Sequence, residues 1–337
     1  MGPVEDIDFM KGTQRIVITG ATGFVGTHLV HRMQTLGAEV RVLVRPDGDV
    51  ARLRGKKIEF FYGDLSDAAS LAGLCKDTDQ IFHLAATQQF GLSGDRFFDI
   101  NVAGTQRLLD QAIQNGVRRV VLVSSGGIHR NDSGEPVREA SPFRETNIYF
   151  KSKIEAEAIA RDLFRNDAGR LTVVRPGAVY GPGDFRLLKL FRAVTRGRFI
   201  MIGTGDTRVH PVYIDDLIDG LLRAGSDMGR GETFLLSGPD ILRLREWVGV
   251  IARVAGKTPP RWTIPAGPVS MAATLCESLC RPFGIVPPLN RRRLGFFLNH
   301  RSYDLTKARD LLGYAPRISV EEGTRRTLGW YKSNGWL

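Results

Sequence analysis

Cysteine is scarce in this chain, with three in 337 residues: Cys75, Cys276 and Cys280. An odd number without a Cys-x-x-Cys pair excludes a disulfide framework and a thiolate metal site, so no metal is expected. Cys276 and Cys280 lie four apart, on one face of any helix that carries them, and are expected as buried thiols. A cytoplasmic setting follows. Long uncharged apolar runs are also missing. None approaches the roughly 20 residues that cross a bilayer, which excludes an integral membrane segment. The first ten residues are acidic and have no apolar core, so no secretory signal is expected and residues 1–12 read as a disordered leader. The net charge is +11, but the positive residues are dispersed apart from Arg291 to Arg293. No nucleic-acid-binding motif accompanies them, so no nucleic-acid partner is expected. The charge fits a phosphate-bearing cofactor and an anionic substrate.

What is present is concentrated between Arg15 and Gly26, Arg-Ile-Val-Ile-Thr-Gly-Ala-Thr-Gly-Phe-Val-Gly. Ile16 to Ile18 reads as a buried parallel strand. Gly20, Gly23 and Gly26 follow at three-residue spacing. Leu29, Val30, Met33 and Leu36 then recur at helical spacing, and Gly37 closes the helix. In such a strand–turn–helix unit the first glycine permits a tight turn. The second admits a diphosphate, the third lets helix and strand pack closely, and the helix N-terminus attracts the phosphate charge. Further strands are expected at Val40 to Val44, Ile58 to Tyr62, Gln80 to Leu84, Val120 to Val123, Leu171 to Arg175 and Phe234 to Leu236. A long helix is expected from about Asp95 to Asn115.

The string Thr-Gly-Ala-Thr-Gly-Phe-Val-Gly resembles the extended short-chain dehydrogenase/reductase family, which includes nucleotide-sugar epimerases, dehydratases and hydroxysteroid dehydrogenases. The resemblance implies a doubly wound α/β fold of the Rossmann type. It further implies a dinucleotide-binding part over residues 13–180. A smaller, interleaved substrate part would span 181–337, with strands returning to the sheet. It implies cofactor contacts from Gly20, Thr22, Gly23, Phe24, Val25 and Gly26. At the end of the second strand an acidic residue selects NAD(H) and an arginine accommodates a 2′-phosphate. Here the residue is Arg45, which favours NADP(H). Asp47 leaves NAD(H) open. Asp64 and Leu65 resemble the family's adenine-contacting Asp-Leu, and Ala85 and Ala86 the strand edge beneath the cofactor. Pro176 and Val179, within Arg175-Pro-Gly-Ala-Val-Tyr-Gly-Pro-Gly183, resemble its nicotinamide-contacting segment.

Tyr149 and Lys153 lie four apart, one above the other on a helix. An unperturbed tyrosine, with a pKa near 10, is too weak a base at neutral pH. An ammonium one turn away favours the phenolate, so the pair can exchange a proton with an alcohol or ketone. With Ser125 at the end of the preceding strand, the pair looks like the Ser-Tyr-Lys set of the family. In that set Lys153 also binds the nicotinamide ribose. Asn101, in Asn-Val-Ala-Gly-Thr105, takes a supporting or structural role. Dehydratases carry an acidic pair after Ser125, whereas this chain has Gly126 and Gly127, so dehydration is disfavoured. His129 is a second acid or a plain loop histidine. Gln88, Gln89, Phe90 and Gly127 are candidate substrate contacts. Arg208 grips a substrate diphosphate or makes an inter-domain ion pair. Residues Trp262 to Phe297 are expected as short helices covering the site, buried at a domain interface or resting on a membrane surface.

The sequence therefore points to an NAD(P)-dependent oxidoreductase acting on a secondary alcohol or ketone. A nucleotide-sugar epimerase with tightly held NAD is the alternative, and a non-catalytic NAD(P) sensor the second. A homodimer through the two long helices is usual in the family. Substrate, stereochemistry and pathway are beyond the sequence.

Overall fold

Seven short runs of β-branched and apolar residues pair side by side, all parallel. They are β1 (Arg15–Thr19), β2 (Glu39–Val44), β3 (Glu59–Tyr62), β4 (Gln80–His83), β5 (Arg119–Val123), β6 (Leu171–Pro176) and, after a long excursion, β11 (Thr233–Leu236). Their order in the sheet is β11-β6-β5-β4-β1-β2-β3. The computed structural model describes residues 14–53, 57–88, 93–129, 131–145, 147–280, 287 and 289–337. The expected Rossmann-type sheet is therefore present, and the strand order reverses between β1 and β4. Thr19 pairs with His83 at that point. A reversal of this kind opens a crevice at the carboxyl ends of the strands, where ligands bind.

Alternation along the strands feeds two cores. Ile16, Ile18, Val42 and Phe82 face α1 (Phe24–Thr35) and α6 (Ile214–Ala224). Val17, Ile81, Val120 and Leu122 face α3 (Gly104–Gln114) and α4 (Ile148–Leu163), and α2 (Gly94–Phe98) precedes α3. Each fully buried Leu or Ile here contributes roughly 1.5–3 kcal/mol of transfer free energy. The first core continues without a break into α5 (Leu188–Thr195), α7 (Leu244–Val254) and α11 (Val320–Ser333), through Phe191, Trp247, Ile251, Leu328 and Tyr331. Three two-stranded ribbons support this part: β7 (Ala178–Tyr180) with β10 (Pro211–Tyr213), β9 (Arg208–Val209) with β12 (Leu242–Arg243), and β8 (Met201–Ile202) with β13 (Thr263–Ile264).

Three expectations need correction. The helix expected from Asp95 to Asn115 is broken by a π segment, Asp99–Ala103, between α2 and α3. The Trp262 to Phe297 stretch contains a fifteen-residue helix, α8 (Ala266–Cys280), besides α9 (Arg291–Leu298). It is not buried at a domain interface: Met271, Leu275 and Leu279 are 75%, 61% and 61% exposed, and Trp262 77%. Cys75 is buried, but Cys276 and Cys280 are only half-buried, because they share this poorly covered helix. The chain closes with α10 (Thr306–Leu312), ended by Gly313 in the left-handed region at φ 60°, and α11.

Candidate active site

The glycine turn comes first. Gly20 has φ +70°, and a Cβ there would lie 2.7 Å from the Ala85 nitrogen. A Cβ on Gly26 would collide with the Gly20 carbonyl. These two positions let α1 press against the end of β1 and bring the turn onto Ala85. Gly23 caps α1 without a side-chain hydrogen bond, and the first turn carries no acidic residue. The N-terminal amides of α1 are thus not neutralised by a carboxylate, and such an end attracts an anion. Thr22, Phe24 and Val25 are half-buried around it. Val25 and Ala86 line the adjoining cleft. An open glycine cradle, an uncapped helix end and small residues beside it fit a dinucleotide.

Arg45, directly after β2, has a side chain 64% exposed and lies 3.6 Å from Asp47. The Asp64 carboxylate accepts hydrogen bonds from the Ser66 nitrogen at 2.8 Å and the Ser66 hydroxyl at 2.7 Å through Oδ1. Burial raises its pKa, but the Ser66 bonds and the charges of Arg45 and Arg96 together hold it below the ordinary value. Leu65 is buried against Gly104, where a Cβ would lie 2.8 Å from that of Leu65. The glycine of Asn-Val-Ala-Gly-Thr therefore serves close packing.

β5 delivers Ser125, whose hydroxyl oxygen accepts from the Gly127 nitrogen at 3.2 Å. That contact uses a lone pair and leaves the hydroxyl proton available. Asn147 caps α4 by accepting from the Phe150 nitrogen at 3.1 Å, which fixes the turn carrying Tyr149. Tyr149, Lys153 and Ser125 all line one cleft of about 450 Å³. The Lys153 ammonium donates to the Val123 carbonyl at 2.7 Å. Burial lowers its pKa to about 8, against an opposing pull from Glu157 one turn on. Glu157 is itself buried, in a two-pronged pair with Arg175 at 3.0 and 2.5 Å.

Asn101 sits in the π segment. Its oxygen accepts from the Thr87 nitrogen at 2.7 Å, and its amide donates to the Thr87 carbonyl and the Ser152 hydroxyl at 3.1 and 2.9 Å. Ser152 in turn donates to the Tyr149 carbonyl at 2.8 Å. Asn101 thus ties the end of β4 to the helix that bears Tyr149, without itself lining the cleft.

His129 is not a second acid in the cleft. Its Nδ1 donates to the Ser141 carbonyl at 2.9 Å, and Nε2 accepts from Arg175 at 3.1 Å. Burial first, and then the Arg175 charge, lower its pKa to about 4. Arg208 lies 3.5 Å from Glu135 and does not line the cleft, so the ion pair is what the structure shows, though its partner had no signal in the sequence. Arg186 and Arg301 line it instead, with Gln88, Pro176 and Val179. Gly127 borders a second, much smaller pocket, which shares Phe150, Asn299 and Arg301 with the first. Gln89 and Phe90 lie outside the described residues. Among the described residues lining the larger cleft there is no Asp, Glu, His or Cys.

The NAD-dependent epimerase/dehydratase family model matches residues 16–236. The chain belongs to that family. One relative is the sterol demethylase protein B of Methylococcus capsulatus, 30% identical over 335 residues, 95% of this chain and 99% of its own. Another is the UDP-glucose 4-epimerase of Mycolicibacterium smegmatis, 30% identical over 341 residues, with 95% and 99% covered. A dTDP-glucose 4,6-dehydratase from Streptomyces venezuelae, solved with NAD bound, superposes with a TM-score of 0.74 at 27% identity, covering 96% of this chain and 98% of its own. The protein is thus an enzyme of the epimerase/dehydratase family, with relatives that act on sugars and on sterols.

Sequence reasoning missed one buried chain in this family member. The His83 Nε2 donates to the Thr105 hydroxyl at 2.9 Å, which donates to the Asn101 carbonyl at 2.7 Å. On its other side His83 Nδ1 accepts from Thr19 at 2.7 Å, and Thr19 accepts from the Ala85 nitrogen. Every bond is satisfied with a neutral imidazole, and burial lowers its pKa to about 3. No local spacing joins residues 19, 83 and 105, so only the β1–β4 pairing reveals it.

Proposed function

We propose that this enzyme is an NAD(P)-dependent dehydrogenase or reductase that interconverts a secondary alcohol and a ketone on a largely apolar substrate. The observation that carries the reading is the lining of the cleft. Among the described residues it has no carboxylate or imidazole, which leaves Tyr149 as the group for proton exchange. Leu84, Phe150, Leu187, Trp247 and Phe296 supply apolar walls. When bound, the nicotinamide dinucleotide supplies the hydride acceptor or donor. In the oxidative direction the Tyr149 phenolate takes the hydroxyl proton, and in the reductive direction the phenol returns it to the carbonyl oxygen. Lys153, held by the Val123 carbonyl, favours the phenolate by charge. Ser125, with its lone pair engaged by Gly127, turns its proton to the substrate oxygen. Asn101 keeps the Tyr149 helix in register with the β4 edge. Arg45 supports NADP(H) as the preferred cofactor. The homodimer through α3 and α4 belongs to the same reading, and size-exclusion chromatography checks it.

Tyr149→Phe tests the chemistry. A panel of secondary alcohols, hydroxysteroids among them, is followed by nicotinamide absorbance. The variant should lose roughly 10²–10⁴-fold in turnover and keep its affinity for NADPH. Near-normal turnover would sink the assignment. Arg301, on the wall shared by the two cavities, favours a second reading, in which a nucleotide-sugar epimerase keeps its cofactor. NAD that copurifies and resists dialysis would support that reading, and freely exchanging NADPH the first.

A further inference from the structure

The segment from Gly181 to Arg186 leaves β7 and returns over the glycine turn. His28, on α1, donates from Nε2 to the Pro182 carbonyl at 3.0 Å. Arg52 donates to the Gly183 carbonyl at 3.4 Å, and its guanidinium lies 4.5 Å from the centre of the Phe185 ring. From the opposite side the Tyr331 hydroxyl donates to the Asp184 carbonyl at 2.5 Å. The segment is therefore a strap, pinned at three points to the first half of the chain and at one to the last helix.

At its end stands Arg186. The Asp184 carboxylate, fully buried, accepts from the Arg186 backbone nitrogen and from Nε at 3.0 and 2.9 Å. Nη2 donates to the Val179 carbonyl at 2.9 Å. The guanidinium carbon lies 5.6 Å from the centre of the Phe24 ring. Phe24 is the first residue of α1, and Val179 belongs to the segment expected beneath the nicotinamide. The guanidinium is thus held between the two ends of the path that a dinucleotide's diphosphate must take. Arg186 lines the cleft beside Val25 and is 53% exposed on its side chain. Two of its three nitrogens are oriented by the protein, and among the described residues Nη1 has no hydrogen-bond partner.

We infer that Arg186 is the cationic wall of the diphosphate site: it binds the diphosphate of the dinucleotide opposite the amides of the α1 N-terminus. A planar guanidinium with a free edge suits phosphate oxygens, and preorganisation by Asp184 and Val179 reduces the ordering cost. Asp184 offsets part of the charge, but its Oδ1 is spent on the strap's own geometry. The inference rests on the dinucleotide reading of the cleft and adds a residue to it from the second half of the chain.

The experiment is a fluorescence titration with NADH, competed by ADP-ribose, on wild type, R186M and R186K at low and moderate salt. R186M should bind both ligands roughly ten- to hundredfold more weakly. It should show a flatter salt dependence, and because Asp184 loses its buried partner its thermal midpoint should fall, so the affinities are compared well below that midpoint. R186K should recover part of the affinity. Should R186M fail to fold, R186Q carries the same comparison. Wild-type affinity of the variant for ADP-ribose would overturn the inference. So would a raised substrate KM with unchanged ADP-ribose affinity, which would place the arginine on the substrate. If the wild type binds no ADP-ribose at all, the dinucleotide reading falls first and takes this one with it.

Discussion

The ring of Phe150 occupies the space that a side chain on Gly127 would need: a Cβ there would lie 2.6 Å from the Phe150 Cζ. Tyr303 does the same at Gly126, at 2.7 Å from its Cε1. By the resemblance of the sequence to the extended short-chain family, these are the two positions at which its dehydratases carry an acidic pair. In this chain the acids are absent and aromatic rings fill their room, one from α4 and one from a segment that also stacks on His210.

The first prediction follows from that contact. Gly127→Val should destabilise the protein by roughly 1–3 kcal/mol, the usual cost of overpacking. Adding Phe150→Ala should return a large part of it. Urea denaturation of the single and double variants measures the coupling, and additive effects would show that the two residues do not compete for one volume.

A second concerns cofactor choice. Arg45 stands at the end of β2 with most of its side chain in solvent. Arg45→Asp should weaken NADPH binding at least roughly tenfold, the loss of one charge-assisted contact, and leave NADH within about threefold. Equal loss for both cofactors would remove the 2′-phosphate role.

A third concerns the buried pair beneath the catalytic helix. Glu157→Gln leaves Arg175 without its carboxylate in a dry site, and should cost roughly 3–5 kcal/mol. The double variant Glu157→Gln, Arg175→Met should recover much of this. Chemical denaturation gives both values. Glu157 also raises the pKa of Lys153, so the single variant should lower that pKa further.

A fourth concerns acid. His83, His129 and His210 are buried and neutral, with pKa values lowered to about 3, 4 and 4, in each case by burial first. In the unfolded chain they titrate near 6.5. Below that pH the unfolded state binds more protons than the folded one, so stability falls as pH drops from about 6.5 towards 4. Each histidine adds up to about 1.4 kcal/mol per pH unit to the slope. Denaturation midpoints between pH 7 and 5 test this, and a flat profile would mean that these imidazoles are not held neutral.

Much of this was legible locally. The three glycines, the strand before them and the helix after them lie within one short stretch, and Tyr149 and Lys153 are one turn apart, so spacing alone conveys their geometry. What was not legible depends on residues that only folding brings together. Tyr303 reaches Gly126 across 177 positions, and Arg186 reaches Phe24 across 162. Arg208 was expected at a substrate diphosphate or in an inter-domain ion pair, and nothing in its neighbourhood in the sequence pointed to Glu135, 3.5 Å away, or to Arg301 on the cleft wall. The Trp262 to Phe297 stretch misled for another reason: its apolar composition suggested burial, but composition does not say whether anything covers the helix that carries Met271, Leu275 and Leu279.

The π segment at Asp99–Ala103 has a consequence for chain length. A π turn holds one residue more than the α-helix around it would need. Deleting a single residue there, Ile100 for instance, would let α2 and α3 merge into one regular helix. The helix would lose nothing in backbone hydrogen bonding, yet the flanking residues would turn relative to one another by roughly 100°, the angle of one residue in a helix. Asn101 could not then face Thr87 and Ser152 while Thr105 faces His83. At this point of the chain a one-residue deletion would separate folding from function: the shortened protein would keep its helix and lose the tie that holds Tyr149 in place.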